Sequence, residues 1–278
     1  MSTERFVLAI DLGTSGPKVG LVSTNGTVAE WSFERVPILL SPEGGAEQDP
    51  DDWWQAITTA GRRIVERGSV AVDDIVGVGV TAQWSGTVPV AGSRHIGNAV
   101  IWMDSRGASE MDQLNGGPVS VSGYGVPKLF RWIRRTGGAP GHSGKDPIAH
   151  ILYLKHHQPD VYEAATVFLE PKDYLNLRLT GVAAAGYDSI ALHWVTDNRD
   201  LDNVAYDADL LRLSGIDPAK LPGLRPPDDV LAPLSEEAAA ELGLVTGIPV
   251  VMGTPDTHSA SIGAGAVRDF QGHLYLGT

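Results

Sequence analysis

The sequence predicts an α/β fold, on three observations. Two short apolar runs, Phe6–Ile10 before Asp11 and Pro249–Met252 before Asp256, read as strands that each deliver a carboxylate at their end. Between them, Ile75–Thr81 (IVGVGVT) is an unbroken apolar run, the pattern of a strand buried on both faces. Trp53, Ile57, Ala60 and Ile64 recur at helical spacing and place an amphipathic helix between the first and second of these strands.

The elements follow in order. Val19–Val22 and Val28–Val36 read as two further strands, and Asn25-Gly26 between them is a hairpin signal because both residues tolerate positive φ. The chain therefore opens as an antiparallel meander with an acid at its first tip. Asp49 can cap the following helix, Pro50 suits its first position, and Asp51 and Asp52 sit at the positive end of its dipole. Ala99–Trp102 reads as a strand. Gly116–Gly144 is glycine-rich and reads as loop plus one short helix bearing Arg131, Arg134 and Arg135. Pro147–His157 and Pro171–Leu179 are helical, the second ended by Gly181. Asp197–Pro227 is mixed; Ser235 caps a helix that stops at Gly243. Gly253–Ser259 is expected to be a turn carrying Asp256, Ile262–Val267 is rich in small residues, and His273–Leu276 begins a last strand. A strand edge followed by Gly277-Thr278 leaves unpaired backbone, which leads us to expect a truncated chain.

Composition narrows the partners. Of 278 residues, 42% are hydrophobic and 20% charged, an ordinary globular balance. A net charge of −13 repels phosphate backbones, so nucleic acid is not an expected partner, and an anionic nucleotide would need a local positive potential or a metal. The absence of cysteine excludes disulfides, thiolate metal sites and a cysteine nucleophile, and suits the cytoplasm. The polar start Met1–Arg5 leads directly into a strand; no signal peptide or membrane-length apolar run is visible, so no membrane partner is expected.

Three constellations carry chemistry. In Asp11-Leu12-Gly13-Thr14-Ser15-Gly16, with Lys18 beyond, glycines let backbone N–H groups approach phosphate oxygens and two hydroxyls add donors. A carboxylate beside phosphates requires a cation between them, so Asp11 implies Mg²⁺. A plain Gly/Ser/Thr hairpin turn explains the same hexapeptide equally well. Gly253-Thr254-Pro255-Asp256-Thr257-His258 again places a carboxylate at a tight turn; one acid would hold metal and the other would accept a proton from an attacking hydroxyl. A capping or turn Asp is the plainer account of that segment. Gln83-Trp84-Ser85-Gly86 and Trp102-Met103-Asp104-Ser105-Arg106 pair flat indoles with directional polar groups, as sugar recognition requires, although an isolated Trp is more often core. The eight histidines show no metal-ligand spacing.

Taken in order, these segments resemble the FGGY carbohydrate kinases, and among them the xylulokinase-like branch, from Phe6 to Thr278. The likeness rests on DLGTSGPKVGLVSTNGTVAE, on Glu47-Gln48-Asp49-Pro50 with Trp53-Trp54, on IWMDSR, on PKDYLNLRLTG and on GIPVVMGTPDTHSASIGAGAV. The resemblance implies a ribonuclease H-like domain of the actin and hexokinase type, with a mixed five-stranded sheet flanked by helices. It implies a sugar-binding domain over 1–265 and the start of a C-terminal ATP-binding domain over 266–278. ATP and Mg²⁺ would bind in the cleft between the domains, with Asp11 on the metal and with Gly13, Thr14, Ser15, Lys18, Gly277 and Thr278 along the phosphates. Asp256 would be the catalytic base, and Gln83, Trp84, Trp102, Asp104 and Arg106 would face a small sugar or polyol, a xylulose-like ketose first. A homodimer is allowed for. The chain departs from the branch at Gln83-Trp84-Ser85-Gly86, where xylulokinases carry a Met-His-Gly type of segment, and Gly116–Gly144 is longer than the family's usual connection, placed to reshape the sugar entrance. The rival expectations are a silent sugar-binding domain and a non-kinase member of the actin-like ATPase superfamily.

Overall fold

A computed structural model describes residues 4–274. Its main sheet is built from β1 (Phe6–Gly13), β2 (Gly16–Ser23), β3 (Val28–Phe33), β4 (Ile75–Ala82), β5 (Val230–Pro233) and β6 (Pro249–Val251), in the order β5-β6-β4-β1-β2-β3. The first three strands pair antiparallel, β4 joins β1 in parallel, β6 joins β4 in parallel, and β5 closes the edge antiparallel. Six strands stand where five were expected. The extra strand, β5, lies just past Pro226-Pro227 and ends on Pro233, in a stretch to which the sequence assigns no element; an edge strand tolerates proline.

The described helices are α1 (Pro50–Glu66), α2 (Ala108–Asn115), α3 (Val126–Thr136), α4 (Pro147–His157), α5 (Pro159–Ala164), α6 (Pro171–Thr180), α7 (Ala208–Ser214), α8 (Glu236–Leu242) and α9 (Asp256–Gly263). Asp49 caps α1 by accepting from Asp51 N, and Ser235 caps α8 by accepting from Ala238 N. Gly181 and Gly243 end α6 and α8 in the left-handed conformation. The core forms where alternate residues of β1 and β2 (Leu8, Ile10, Leu12, Val19, Leu21) meet the apolar stripe of α1 (Trp53, Ile57, Ala60, Ile64), with α6 and α8 adding Leu175, Leu179 and Leu242. A second cluster joins α4 to Met111, Phe168 and Val195.

Several expectations shift. Only Ala99–Val100 of the segment Ala99–Trp102 is strand, because the chain turns at once, with Asp104 N donating to Ile101 O. The Gly116–Gly144 segment holds α3 as expected, preceded by a small hairpin of Ser120–Val121 with Tyr124–Gly125. Asp256 is not in a turn: it opens α9, with Pro255 before it. The last strand expected from His273 continues past residue 274, outside the described residues, as do Gly277 and Thr278.

Candidate active site

The sheet topology sets two carboxylates at one sheet edge, on either side of β4. β1 and β6 flank β4 and run parallel to it, so their C-terminal ends open on one edge, where ligands enter α/β sheets. Asp11 sits at the end of β1, in register with Lys18 of β2 and Thr81 of β4. Past β6, Gly253 takes φ 70°, and a Cβ there would lie 2.0 Å from Val80 O; only glycine lets the chain leave β6 this close to β4. The turn is then pinned to β4. Thr81 Oγ1 donates to Thr254 O at 2.7 Å and accepts from Ser259 Oγ at 2.9 Å. Asp11's strand neighbour thus holds both ends of the segment that carries Asp256.

A second anchor comes from α6. Lys172 Nζ, buried, donates to Met252 O at 3.0 Å, and Asn176 Nδ2 donates to the same oxygen at 2.8 Å. Lys172 also meets Asp173 Oδ1 at 2.5 Å, and Asp173 Oδ2 accepts from Ser189 Oγ at 2.7 Å. Burial pushes the Asp173 carboxyl up, and Lys172 opposes that push. The PKDYLNLRLTG segment therefore fixes the carbonyl four residues ahead of Asp256, a role the sequence reading did not assign.

Asp256 and Asp11 are both partly exposed. Burial lifts the Asp256 carboxyl above its ordinary range; the Thr257 N–H opposes this, the negative charge of Asp11 adds to it, and His258 and Lys18 pull it down again. Lys18 Nζ meets Asp11 Oδ2 at 3.1 Å with both groups well exposed, so the pair is screened and free to exchange for a ligand.

The hairpin tip Thr14-Ser15 is a two-residue turn between β1 and β2, and its central N–H groups lie outside the ladder, free for an anion. Gly16, at φ 138°, lets the following strand pass Glu34 O, which a Cβ would meet at 1.9 Å. Gln48 ties this tip to the sugar segments: its Nε2 donates to Thr14 O at 2.9 Å, while its Oε1 accepts from Gln83 Nε2 at 2.7 Å and Trp53 Nε1 at 3.1 Å.

The indoles border the same opening. Trp102 is 39% exposed and donates Nε1 to Thr14 Oγ1 at 2.9 Å. Trp84 donates to Ser189 O at 3.3 Å and meets the His258 ring edge-on at 5.0 Å, two residues from Asp256. Ser85, at φ 65°, hooks Lys145 O at 2.7 Å, so the end of the Gly116–Gly144 segment is drawn to the Trp84 strand tip. Gly86 N donates to Glu170 Oε2 at 2.9 Å, and burial pushes the Glu170 carboxyl well above its ordinary range.

Three of the sequence-picked residues are enclosed or engaged within the protein. Gln83 is buried, although its Oε1 has no partner among the described protein atoms. Asp104 is buried and accepts from Ala46 N, Arg106 N and Arg106 Nε. Arg106 completes the network with Glu47 Oε1 at 2.5 Å and lies over the Tyr153 ring at 4.6 Å; its hydrogen bonds to Asp104 and Glu47 outweigh burial and raise its pKa. These two residues brace the Trp102 turn from behind. Thr81, Ser259, Gln48, Lys172 and Asn176 tie these segments together. The tightly spaced polar residues within otherwise apolar segments were their signal. The described residues also hold one grouping of metal-ligand chemistry, Asp49, Asp51 and His95 within 4.8 Å, but Asp49 caps α1 and Asp51 pairs with Arg178.

A mixed sheet flanked by helices, with paired acids where its parallel strands end, defines a domain of the actin-like ATPase fold. The comparisons carry this further. Residues 6–263 match the model of the FGGY family of carbohydrate kinases, N-terminal domain, and the chain belongs to that family. It is 28% identical to the xylulose kinase of Bacillus subtilis, over 99% of this chain and 52% of that protein. It is 29% identical to the xylulose kinase of Escherichia coli, over 98% of this chain and 52% of that protein. The solved xylulose kinase of Rhodospirillum rubrum superposes with a TM-score of 0.79 at 24% identity, covering 95% of this chain and 51% of its own, which supports the fold alone. The chain thus spans about half the length of the curated relatives it matches. Among the described residues no helix is long and apolar enough to cross a membrane.

Proposed function

We propose that this domain supplies the sugar site, the base and half of the phosphate cradle for ATP-dependent phosphorylation of a small keto-sugar or polyol. The observation that carries the reading is that Asp11 and Asp256 stand at the same edge of the sheet, past the C-terminal ends of the two strands that flank β4. Two acids gathered at one sheet edge are an arrangement that a bound cation would stabilise further.

The donors suit Mg²⁺: Asp11 offers a partly exposed carboxylate near the end of β1, and Thr14 and Ser15 at the tip of the same hairpin add hydroxyl oxygens. Bound there, the metal would neutralise charge on the transferred phosphoryl group. Lys18 and the hairpin N–H groups take phosphate oxygens, with Gly13 letting the backbone come close. Trp84 and Trp102 offer apolar faces to the sugar's C–H groups, Gln83 Oε1 can accept from a hydroxyl, and Asp104 with Arg106 holds the Trp102 turn. Asp256 orients the attacking hydroxyl and takes its proton late, since phosphoryl transfer demands alignment more than covalent help. Its raised carboxyl makes it a better proton acceptor than an ordinary aspartate. The relatives' printed names make xylulose the first sugar to try. The cysteine-free composition is consistent with a cytoplasmic reaction.

Coupled ADP formation by the protein that carries this chain, screened over pentuloses, polyols and hexonates, tests the reading; nucleotide turnover indifferent to every sugar would favour a non-kinase ATPase. In the same assay and by calorimetry of this chain, Trp84→Ala is expected to weaken sugar binding by about tenfold, the loss of one stacking face. Unchanged affinity would return Trp84 to the role of packing against His258.

A further inference from the structure

The cations around the opening are unequally employed. Lys18 is paired with Asp11, Lys172 is buried against Asp173 and Met252, and Arg106 is held by Asp104 and Glu47. Lys145 differs. Among the described residues no carboxylate or carbonyl meets its Nζ, which lies 6.0 Å from the centroid of the Trp102 ring. Its backbone, by contrast, is fixed on both sides. Lys145 O accepts from Ser85 Oγ at 2.7 Å, next to Trp84. Gly144, at φ 72°, packs so tightly on Gly107-Ala108 that a Cβ would lie 2.2 Å from Ala108 N. On the other side, Asp146 Oδ2 accepts from Trp194 Nε1 at 2.8 Å. A rigid stem thus presents one uncommitted ammonium near the Trp102 ring, in a chain of net charge −13.

From this placement we infer that the sugar accepted at the site is a sugar acid, whose carboxylate pairs with Lys145 while its C–H face lies on Trp102 and its reacting hydroxyl meets Asp256. The inference rests on the sugar-kinase reading above and narrows it. A neutral ketose gains nothing from the ammonium, whereas a carboxylate gains a charge-assisted hydrogen bond that also orients the carbon chain. The segment that carries Lys145 ends the long Gly116–Gly144 connection, which gives that connection a purpose: it brings a second exposed ammonium, in addition to Lys18, to the site.

Calorimetry of this chain with matched pairs that differ only at one end, xylitol against xylonate and sorbitol against gluconate, tests it. The acid is expected to bind about tenfold tighter than the alcohol, the range of a hydrogen bond to a charged group. Added salt should weaken only the acid. Lys145 is exposed, so Lys145→Met should fold normally; it is expected to remove the preference for the acid and leave the alcohol unchanged, with Lys145→Arg restoring it. ADP affinity should not move in either variant. Equal binding of acid and alcohol, or a Lys145→Met effect on ADP but not on the acid, would overturn the inference while leaving the sugar site standing. Binding of neither sugar would overturn both.

Discussion

Asp256→Asn, in the protein that carries this chain, is expected to lower turnover about 10²–10⁴-fold, the usual contribution of a positioned general base. Sugar affinity should change far less, because asparagine keeps the oxygen that accepts from Thr257 N and only the proton-accepting charge is lost. The fold should not suffer. The carboxyl of Asp256 is raised by burial and by Asp11, so the ionised group weakens the folded state at neutral pH, and its neutral isostere should leave the melting temperature unchanged or slightly higher. Pre-steady-state measurement of phosphoryl transfer, with sugar binding measured separately, checks the division. Normal turnover would remove Asp256 from the chemistry; a lost fold would assign it a structural role.

Lys172→Met carries the largest expected effect on stability. Lys172 and Asp173 are both almost fully buried, and breaking such a pair on one side leaves an uncompensated charge, at a cost of about 3–5 kcal/mol. For a chain of this size the melting temperature should fall by about 10 °C. The loss should deepen as pH rises. With the ammonium gone, the Asp173 carboxyl is raised further above its unfolded value, so stability is retained below the unfolded pKa and lost as pH climbs through the folded one. Replacing both, Lys172→Met with Asp173→Asn, should recover most of the stability, because a neutral pair needs no compensation. Sugar binding should stay impaired even then, since Met252 O has lost one of its two anchors and the Asp256 segment is held by Asn176 alone from that side. Recovery of both stability and binding would mean that Lys172 matters only as a counter-ion.

What the sequence made legible is local. Asp49 and Pro50 start α1, Ser235 starts α8, and Gly181 and Gly243 end their helices where read, since each signal lies within a few residues of the backbone groups it satisfies. The acids at the ends of two strands were equally visible, and so was the parallel strand that separates them. The hidden parts depend on partners distant in the chain. Gln48 binds Thr14 and Gln83, 34 and 35 residues away, and Lys172 reaches Met252 across 80. Nothing in the local pattern states those pairings. Asp104 and Arg106 show the same limit: the residues beside Trp102 are visible in the sequence, but not that they bond to Ala46, Glu47, Tyr153 and each other. Edge strand β5 was masked by the prolines around it.

Asp11 and Asp256 at one sheet edge are the pair on which the proposed chemistry depends. Titrating the Asp256 side chain by carbon NMR in the wild-type chain and in Asp11→Asn measures their interaction directly. Asp256 is expected to titrate above the ordinary aspartate range, and removal of the neighbouring charge should move it back down. A midpoint that is ordinary, or unmoved by Asp11→Asn, would contradict the shared site.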